Sequence, residues 1–309
     1  MSHHVLVTDI IAKPAEPLLE QRYTVHKYYD APDREVLLGR VAPRITAIAG
    51  GGVDAALMDR LPQLGIISNF GVGYDSIDTA AAKARNIRVT NTPNILNDAM
   101  AEITIGLMVA LARRIPQADR FIRQGQWRSG PYPLQSELNG RTVGILGLGR
   151  IGLEIAQRCQ AMKMRVVYHS RNQRPNSPYI YYSSLIDMAR DIDWLIVVTP
   201  GGKATHHLVG REVLEALGTD GFLVNMARGS VIDEKVLIEF LKEGRIAGAA
   251  LDVFENEPNV PETLFALDNV VLSPHQGSAT NQTRNAMGAL VVANIDAFFA
   301  DEPLLTPVV

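Results

Sequence analysis

The chain has 309 residues, a length that predicts two domains of ordinary size rather than one. Hydrophobic residues make up 47% and charged residues 20%, and the net charge of −3 gives no overall field that favours nucleic acid or an anionic membrane. A single cysteine excludes an internal disulfide and, with no membrane-spanning apolar stretch and no N-terminal secretion signal, predicts a cytoplasmic protein.

Short apolar runs alternate with helical patterns along the whole chain, which predicts parallel sheets with helices on both faces. The first 92 residues contain five runs typical of strands: VLVTDI, YTVHKY, ITAIAG, GIISNF and IRVTNT. From residue 141 the cycle restarts with six more: RTVGILGL, RVVYHS, WLIVVTP, GFLVNMA, IAGAALDVF and VVLSPH. The two series predict two doubly wound α/β domains.

Two helical patterns define the predicted domain boundaries. Residues 94–127 have helical periodicity and predict one long connecting helix, whose apolar face could also meet a second subunit. Residues 281–304 predict an amphipathic helix that returns to the first domain. The first domain is therefore expected to be discontinuous, with residues 1–95 and 282–309 in one domain and 96–281 in the other.

A glycine-rich turn follows the first strand of the second series. Gly147, Gly149 and Gly152 form the G-x-G-x-x-G pattern of a dinucleotide-binding turn, with Arg150 and Ile151 between the last two. The glycines provide a tight turn, a close approach to a pyrophosphate and close helix–strand packing. The next strand ends 22 residues after the first glycine, which is the spacing of such a unit. We therefore expect a dinucleotide here, with its pyrophosphate at the helix N-terminus.

The end of that next strand predicts which cofactor binds. Dinucleotide sites for NAD usually carry Asp or Glu here to hold the ribose 2′-hydroxyl, but this chain has His169, Ser170, Arg171 and Asn172. A hydroxyl, a guanidinium and an amide suit a 2′-phosphate, and Arg174 adds positive charge. The sequence favours NADP; the alternative is a surface arginine at a site that accepts either cofactor.

Three chemically active residues follow strands of the second series. Arg228, Glu257 and His275 should meet at the carboxyl edge of the sheet, where ligands bind in open α/β folds. A guanidinium can hold the oxygens of a 2-oxo acid, a histidine can deliver a proton, and a carboxylate can orient the histidine. Each residue alone also has an ordinary structural explanation, as an ion pair, a structural histidine or an acidic turn.

Several motifs make the chain similar to the D-isomer-specific 2-hydroxyacid dehydrogenases over nearly its full length. In the family's order they are GVGYDSID (71–78), VTNTP (89–93), GILGLGRIG (144–152), NMARGSVIDE (225–234), GAALDVFENEP (248–258) and SPHQGSAT (273–280). The spacings within Arg228, Glu257 and His275, 29 and 18 residues, also match the family's triad. The resemblance implies that the arginine binds substrate, the histidine is the acid/base and the glutamate is its partner.

The resemblance also implies binding residues outside the triad. Those implied for the cofactor are Thr199, Pro200, Met226, Ala227 and Asp252. In the first domain, backbone N–H groups of Val72 and Gly73 are expected to bind the substrate carboxylate, with Gly50 and Gly51 close by. The fold implied is a Rossmann-type cofactor domain inserted into a flavodoxin-like substrate domain.

Within the family the chain is most similar to NADPH-dependent glyoxylate/hydroxypyruvate reductases. The expected function is reduction of small 2-oxo acids to D-2-hydroxy acids by hydride transfer, in a homodimer, with no metal, nucleic acid or membrane partner. The alternatives are a reductase of aromatic 2-oxo acids such as hydroxyphenylpyruvate, an NAD-dependent dehydrogenase, and a nucleotide-sensing binding protein without catalysis. Trp127, Arg128 and Tyr132 either reach a neighbouring subunit's active site or only pack at an interface.

Overall fold

The computed structural model describes residues 3–309 and divides into two compact units. Unit 1 comprises residues up to Leu96 together with Ser278–Val309, and unit 2 comprises Asn97–Gly277. Unit 1 holds a five-stranded sheet and unit 2 a seven-stranded sheet, both with parallel pairing between neighbouring strands. The predicted α/β class with two parallel sheets is confirmed. Within residues 3–309, no helix combines the length and apolar character needed to cross a membrane.

The sheet of unit 1 has the strand order β2-β1-β3-β4-β5. Its strands are β1 (His4–Val7), β2 (Thr24–Lys27), β3 (Ile45–Ala49), β4 (Ile66–Ser68) and β5 (Arg88–Thr90). Four helices connect them: α1 (Glu16–Glu20), α2 (Arg34–Val41), α3 (Ala55–Asp59) and α4 (Thr79–Ala84). The central strands are apolar because helices cover both of their faces, and Leu6, Ile48 and Ile67 are fully buried.

The sheet of unit 2 has the order β12-β11-β10-β9-β6-β7-β8. Its strands are β6 (Thr142–Leu146), β7 (Arg165–His169), β8 (Ile180–Tyr182), β9 (Trp194–Val197), β10 (Phe222–Asn225), β11 (Gly248–Leu251) and β12 (Val270–Leu272). Its helices are α5 (Asn97–Ala112), α6 (Ile115–Arg123), α7 (Arg150–Ala161), α8 (Leu185–Arg190), α9 (Arg211–Leu217) and α10 (Glu234–Lys242). The strand order reverses between β6 and β9, the position where open α/β sheets bind ligands.

Alternation along a strand divides the core of unit 2 between the two faces of its sheet. In β9, Leu195 and Val197 pack in one apolar cluster, and Trp194 and Ile196 pack in the other. Both clusters are fully enclosed because helices cover each face. The rigid sheet fixes the positions of the loops at its carboxyl edge.

Two local features differ from the sequence-based prediction. The predicted helix over residues 94–127 is two helices, because the chain turns at Arg114, whose φ is +47°. Pro116 lies in the first turn of α6, where its missing N–H costs nothing and its ring favours a new helix start. The short edge strand β8 was not among the predicted strands.

The last helix, α11 (Asn281–Phe299), belongs to unit 1. Thr280 caps it by accepting a hydrogen bond from the Thr283 amide at 3.1 Å. Along its length, α11 packs against the sheet: the Ser68 hydroxyl of β4 donates to the Val291 carbonyl at 3.1 Å. The helix thus completes a core begun by the first 96 residues.

Candidate active site

Two of the three glycines in the turn after β6 are required by close backbone contacts. Gly147 has a φ of +104°, and a Cβ there would lie 2.9 Å from the Thr199 amide nitrogen. At Gly152 a Cβ would lie 2.3 Å from the Gly147 carbonyl oxygen, so only glycine lets α7 pack against the turn. These contacts follow the roles that the spacing predicts for the first and third glycines.

The middle glycine faces open space instead. A Cβ built on Gly149 would meet no protein atom within 4 Å, although Gly149 is the N-cap of the twelve-residue helix α7. Amides in the first turn of a helix have no partner within the helix, and the helix dipole favours an anion there. Arg150 and Ile151 contribute such amides. The residues present therefore fit a dinucleotide pyrophosphate at this turn.

The residues that end β7 lie at the same edge as the glycine turn, since Leu146 of β6 is in register with His169. The Nδ1 of His169 lies 2.9 Å from the Tyr182 carbonyl oxygen, so Nδ1 carries the donated proton and Nε2 is available to a ligand. The Ser170 hydroxyl donates to the Asn172 carbonyl at 3.3 Å.

Two arginines follow β7, and they differ in their hydrogen-bond partners. The Arg171 side chain makes no hydrogen bond or ion pair with any residue of the described range 3–309. Arg174 is held to the glycine turn: its Nη1 donates to the Leu148 carbonyl at 3.2 Å, and its amide donates to the Tyr168 hydroxyl at 2.9 Å. One guanidinium is thus available to an anion, and the other is fixed against the glycine turn.

The loops after β9 and β10 contain the other implied cofactor residues. Thr199 and Pro200 follow β9 and back the glycine turn, because Thr199 contacts Gly147. Met226 and Ala227 follow β10, where buried Asn225 accepts from the Ala227 amide at 3.1 Å and donates to the Arg228 carbonyl at 3.1 Å. The sequence-based prediction does not include Asn225, although the motif NMARG begins with it.

Asp252, after β11, is buried and organises the loop that carries His275. It accepts hydrogen bonds from the Ser273 hydroxyl at 2.5 Å, the Gln276 amide at 2.7 Å and the Gly277 amide at 2.8 Å. The His275 amide also donates to the Asp252 carbonyl at 2.9 Å. The nicotinamide contact implied for Asp252 stays a prediction, whereas its contacts with this loop are direct.

The structure brings Glu257 and His275 together. The Oε2 of Glu257 lies 2.7 Å from Nδ1 of His275, and Oε1 accepts the Phe254 amide at 2.9 Å. With Nδ1 directed at the carboxylate, Nε2 is the ring atom that can exchange a proton with a ligand. About half of the His275 side chain, 51%, is exposed, so the ring is accessible.

Charge around this pair favours the ionised carboxylate. Burial raises the pKa of Glu257, but the bonds from His275 and Phe254, with the positive charges of His275 and Arg228, outweigh burial and lower that pKa. Arg228 directly follows the loop after β10, and its Nη1 donates to the Ala227 carbonyl at 2.9 Å. All three predicted triad residues thus lie at the carboxyl edge of one sheet.

In unit 1, the loop after β4 carries the consecutive amides of Val72 and Gly73, here called the nest. Asn69 donates to the carbonyls of Gly71 and Gly73 at 3.1 and 2.9 Å, and Asn91 donates to the Val72 carbonyl at 2.9 Å. Within residues 3–309 the amides of Val72 and Gly73 donate to no acceptor. Satisfied carbonyls and unused consecutive amides suit a carboxylate.

Gly50 and Gly51, after β3, are constrained by neighbours in unit 1. A Cβ on Gly50, whose φ is +125°, would lie 2.7 Å from the Thr8 hydroxyl oxygen. A Cβ on Gly51 would lie 2.9 Å from the Ser76 hydroxyl oxygen and 3.0 Å from the Asn69 side-chain oxygen. Both glycines therefore permit close packing around the loop that carries the nest.

Comparison with known proteins identifies the family. Residues 105–277, more than half of the chain, match the family model described as D-isomer specific 2-hydroxyacid dehydrogenase, NAD binding domain. The chain belongs to the D-isomer specific 2-hydroxyacid dehydrogenase family. The family and the enzyme class predicted from sequence, an NAD(P)-dependent 2-hydroxyacid dehydrogenase, are confirmed.

Individual family members are similar over nearly the whole chain. Glyoxylate/hydroxypyruvate reductase A of Arabidopsis thaliana is 47% identical over 308 residues, covering 99% of this chain and 98% of the relative. Hydroxyphenylpyruvate reductase of Plectranthus scutellarioides is 46% identical over 297 residues, 95% of both chains. The structure of NADPH-dependent glyoxylate/hydroxypyruvate reductase from Sinorhizobium meliloti with NADP and malonate has a TM-score of 0.95 and 44% identity, covering 100% of this chain and 97% of that one.

Proposed function

We propose that the protein uses NADPH to reduce small 2-oxo acids, glyoxylate and hydroxypyruvate among them, to D-2-hydroxy acids. The observation that carries this proposal is the 2.7 Å contact between His275 and Glu257 at the same sheet edge as a glycine turn that fits a dinucleotide. The similarity to reductases of these two substrates supports the choice of acid.

The triad residues have separate roles in this reaction. Arg228 holds the carbonyl and carboxylate oxygens of the oxo acid through its guanidinium. His275 donates the proton at Nε2 to the carbonyl oxygen as the carbonyl carbon is reduced. Glu257 keeps the ring oriented through Nδ1 and stabilises its protonated form. Hydride donation is the chemistry that NADPH supplies when it is bound.

We assign the cofactor contacts to the loops at the carboxyl edge of unit 2. The amides of Arg150, Ile151 and Gly152 would hold the pyrophosphate, with Gly147 and Gly149 shaping the space around it. The residues proposed to line the rest of the cofactor are Thr199, Pro200, Met226, Ala227 and Asp252.

The preference for NADPH rests on the end of β7. His169, Ser170, Arg171 and Asn172 provide no carboxylate to repel a 2′-phosphate, and the Arg171 guanidinium has no partner within residues 3–309. The similar Sinorhizobium meliloti reductase crystallised with NADP. Arg174 stays close to the same region through its bond to Leu148.

The nest in unit 1 is proposed to bind the substrate carboxylate. The amides of Val72 and Gly73 supply the donors. Gly50 and Gly51 have no side chains, so neighbouring groups pack closely around this loop.

Replacement of Arg228 by Ala should raise KM for the oxo acid, while the Kd for NADPH stays unchanged. An unchanged KM would remove Arg228 from the substrate site.

A kinetic panel tests the proposal. The purified protein is mixed with NADPH or NADH and with glyoxylate, hydroxypyruvate, pyruvate or hydroxyphenylpyruvate, and loss of reduced-nicotinamide absorbance is followed. The expected result is the highest kcat/KM with NADPH and a small oxo acid. Turnover of none of the acids would favour a nucleotide-sensing protein, and higher kcat/KM with NADH would favour the NAD-dependent alternative.

A reductase of aromatic 2-oxo acids is the second candidate, because the Plectranthus scutellarioides relative is named for hydroxyphenylpyruvate. Its distinguishing result in the same panel is a kcat/KM for hydroxyphenylpyruvate above that for glyoxylate. The cytoplasmic location stays a prediction.

A homodimer is proposed through the segment from α6 to residue 134. Ile122 and Trp127 are 58% and 66% exposed, and Leu134 is fully exposed. Exposed apolar groups clustered along one segment are typical of a subunit interface. Sedimentation velocity should give a dimer that Trp127→Ser with Leu134→Ser converts to monomers. Whether Trp127, Arg128 and Tyr132 also reach the partner's active site is tested by the kcat of the monomeric variant.

A further inference from the structure

The turn that carries Glu257 is held by groups outside the triad. Glu255, two residues earlier, donates its amide to Oε1 of Glu234 at 3.2 Å. Its own Oε1 lies 2.9 Å from Nε2 of His207, which follows β9 by ten residues. Both ends of Glu255, backbone and side chain, are therefore fixed to other elements of unit 2.

His207 is itself anchored to the loop that follows Arg228. Its amide donates to the Ser230 carbonyl at 2.8 Å, and its Nδ1 lies 3.9 Å from Oδ2 of Asp233. Its φ of +50° is a left-handed conformation that residues other than glycine keep only when their surroundings hold them. The ring thus lies between two carboxylates, Asp233 on one side and Glu255 on the other.

The loop of Arg228 and the turn of Glu257 also touch through their backbones. A Cβ on Gly229 would lie 1.9 Å from the carbonyl carbon of Phe254 and 2.2 Å from the Glu255 nitrogen. The two segments cannot move independently at this contact, because there is no side chain between them to adjust. His207, in the loop after β9, and Gly229, in the loop after β10, therefore both hold the turn.

Movement of this turn would displace the carboxylate that orients the reacting histidine. Glu257 uses Oε1 for the Phe254 amide inside the turn and Oε2 for His275 at 2.7 Å, so its carboxylate follows the turn backbone. Misplacement of a catalytic group by about 1 Å can cost roughly 100-fold in rate. The position of Glu255 therefore bears on the position of the acid/base.

We propose that Glu255 and His207, supported by Glu234, are positioning residues that hold Glu257 against His275. The proposal rests on the proposed reductase function. Neither side chain belongs to the triad, and each acts through Glu257. Carboxylates are concentrated around this turn: burial and the charges of Glu255 and Glu257 raise the pKa of Glu234. The His207 ring places an N–H donor between Glu255 and Asp233.

A bound metal ion is a competing explanation of the same cluster. Ligand atoms of His206, His207 and Glu255 lie within 4.8 Å of one another, a donor set that zinc accepts. However, His207 and Glu255 already satisfy each other at hydrogen-bond distance. His206 stacks on His207 with ring centroids 3.9 Å apart, and it has no hydrogen bond to the turn in the described chain.

The test compares Glu255→Ala, Glu255→Gln and His207→Ala with His206→Ala as the matched control. Glu255→Ala and His207→Ala should lower kcat for glyoxylate about 10-fold to 100-fold, with little change in KM or in the Kd for NADPH. Glu255→Gln keeps an oxygen acceptor for His207 and should restore most of kcat. His206→Ala and treatment of the wild type with EDTA should leave kcat unchanged.

The pH profile separates positioning from a loss of folded protein. In Glu255→Ala the basic limb of kcat should move to lower pH, because a displaced Glu257 stabilises the protonated ring less. Wild-type kcat and an unmoved profile in Glu255→Ala and His207→Ala would overturn the proposal, and so would loss of activity with EDTA that zinc restores. A wild type without reductase activity would instead overturn the proposed function. If Glu255→Ala does not fold, His207→Asn gives the same comparison.

Discussion

The carboxyl edge of the sheet in unit 2 has a catalytic end and a cofactor end, and the protein treats their polar groups differently. At the catalytic end, the loops after β10, β11 and β12, the carboxylates already have partners: Glu257 bonds to His275, and Asp252 accepts from the Ser273 hydroxyl and two backbone amides. At the cofactor end, the loops after β6 and β7, Arg171 has no partner in the described chain and Gly149 borders open space.

This difference follows from what each end must do. An acid/base must present one ring atom in one orientation, and bonds made in advance remove the cost of arranging it during the reaction. A group that binds a phosphate must exchange water for the ligand, so a strong internal partner would compete with binding. Variants at the two ends should therefore change different constants.

The largest expected effect is at the catalytic end. His275→Ala removes the proton donor and should lower kcat by about 10² to 10⁴. The Kd for NADPH, measured by fluorescence titration, should not change, because no cofactor group depends on His275. Near-normal turnover by this variant would exclude proton transfer by His275.

The matching change at the cofactor end is Arg171→Ala. Loss of a charge-assisted bond to the 2′-phosphate should weaken NADPH binding about 10-fold to 100-fold and leave NADH binding and kcat unchanged. Arg165→Ala is the control, since this exposed arginine lies at the opposite end of the same strand. Equal losses for both cofactors, or for both variants, would contradict the assignment of the phosphate site.

Two glycines of the same turn separate an effect on cofactor binding from an effect on stability. Gly149→Ala should weaken NADPH binding about tenfold and change Tm little, because its methyl group enters space that only the ligand would use. Gly152→Ala should lower Tm, because the methyl group meets the Gly147 carbonyl, and overpacking typically costs about 1–3 kcal/mol. Gly149 is also the N-cap of α7, where Ala is less favourable, so only a fall in Tm as large as that of Gly152→Ala would mean that protein, not ligand, fills that space.

The smallest expected effect is the pH dependence of stability at the catalytic end. Because bonds to His275 and Phe254 lower the pKa of Glu257, the folded protein binds the proton less readily than the unfolded chain does. The stabilisation is therefore complete above the ordinary glutamate pKa and is lost as pH falls through the lowered value. The free energies of unfolding of wild type and Glu257→Gln, measured with urea, should differ at pH 7 and converge in acid. An unchanged difference would place the stabilisation elsewhere.

The features that the sequence predicted well are those set by local sterics or by strand order. Gly147 and Gly152 are required by backbone contacts that the motif spacing already implies. All eleven predicted strand runs overlap observed strands, because apolar β-branched runs between helical patterns have few alternative structures. The meeting of Glu257 and His275 follows from both residues lying in loops after neighbouring strands, β11 and β12, of one parallel sheet.

The features that the sequence predicted poorly depend on contacts that leave no periodic pattern in the sequence. Helical periodicity continues through Arg114, so the apolar pattern hides the left-handed residue that ends α5, and Pro116 is the sequence feature that marks the new helix start. The edge strand β8 has no fully buried residue and follows a Pro-, Asn- and Ser-rich stretch typical of a loop, so no apolar run marks it. The bonds that hold Asp252 and Asn225 go mostly to backbone atoms of neighbouring loops, whose positions exist only in the folded chain.

The insertion of unit 2 into unit 1 has a consequence for the order of folding during synthesis. Unit 2 is one continuous stretch, whereas β5 of unit 1 needs the last 32 residues: the Val308 amide donates to the Val89 carbonyl at 2.7 Å. A ribosome therefore delivers every strand of the seven-stranded sheet before it delivers the segment that closes the five-stranded one. The nascent chain is expected to carry a finished unit 2 beside an incomplete unit 1, whose apolar strands depend on the arrival of α11.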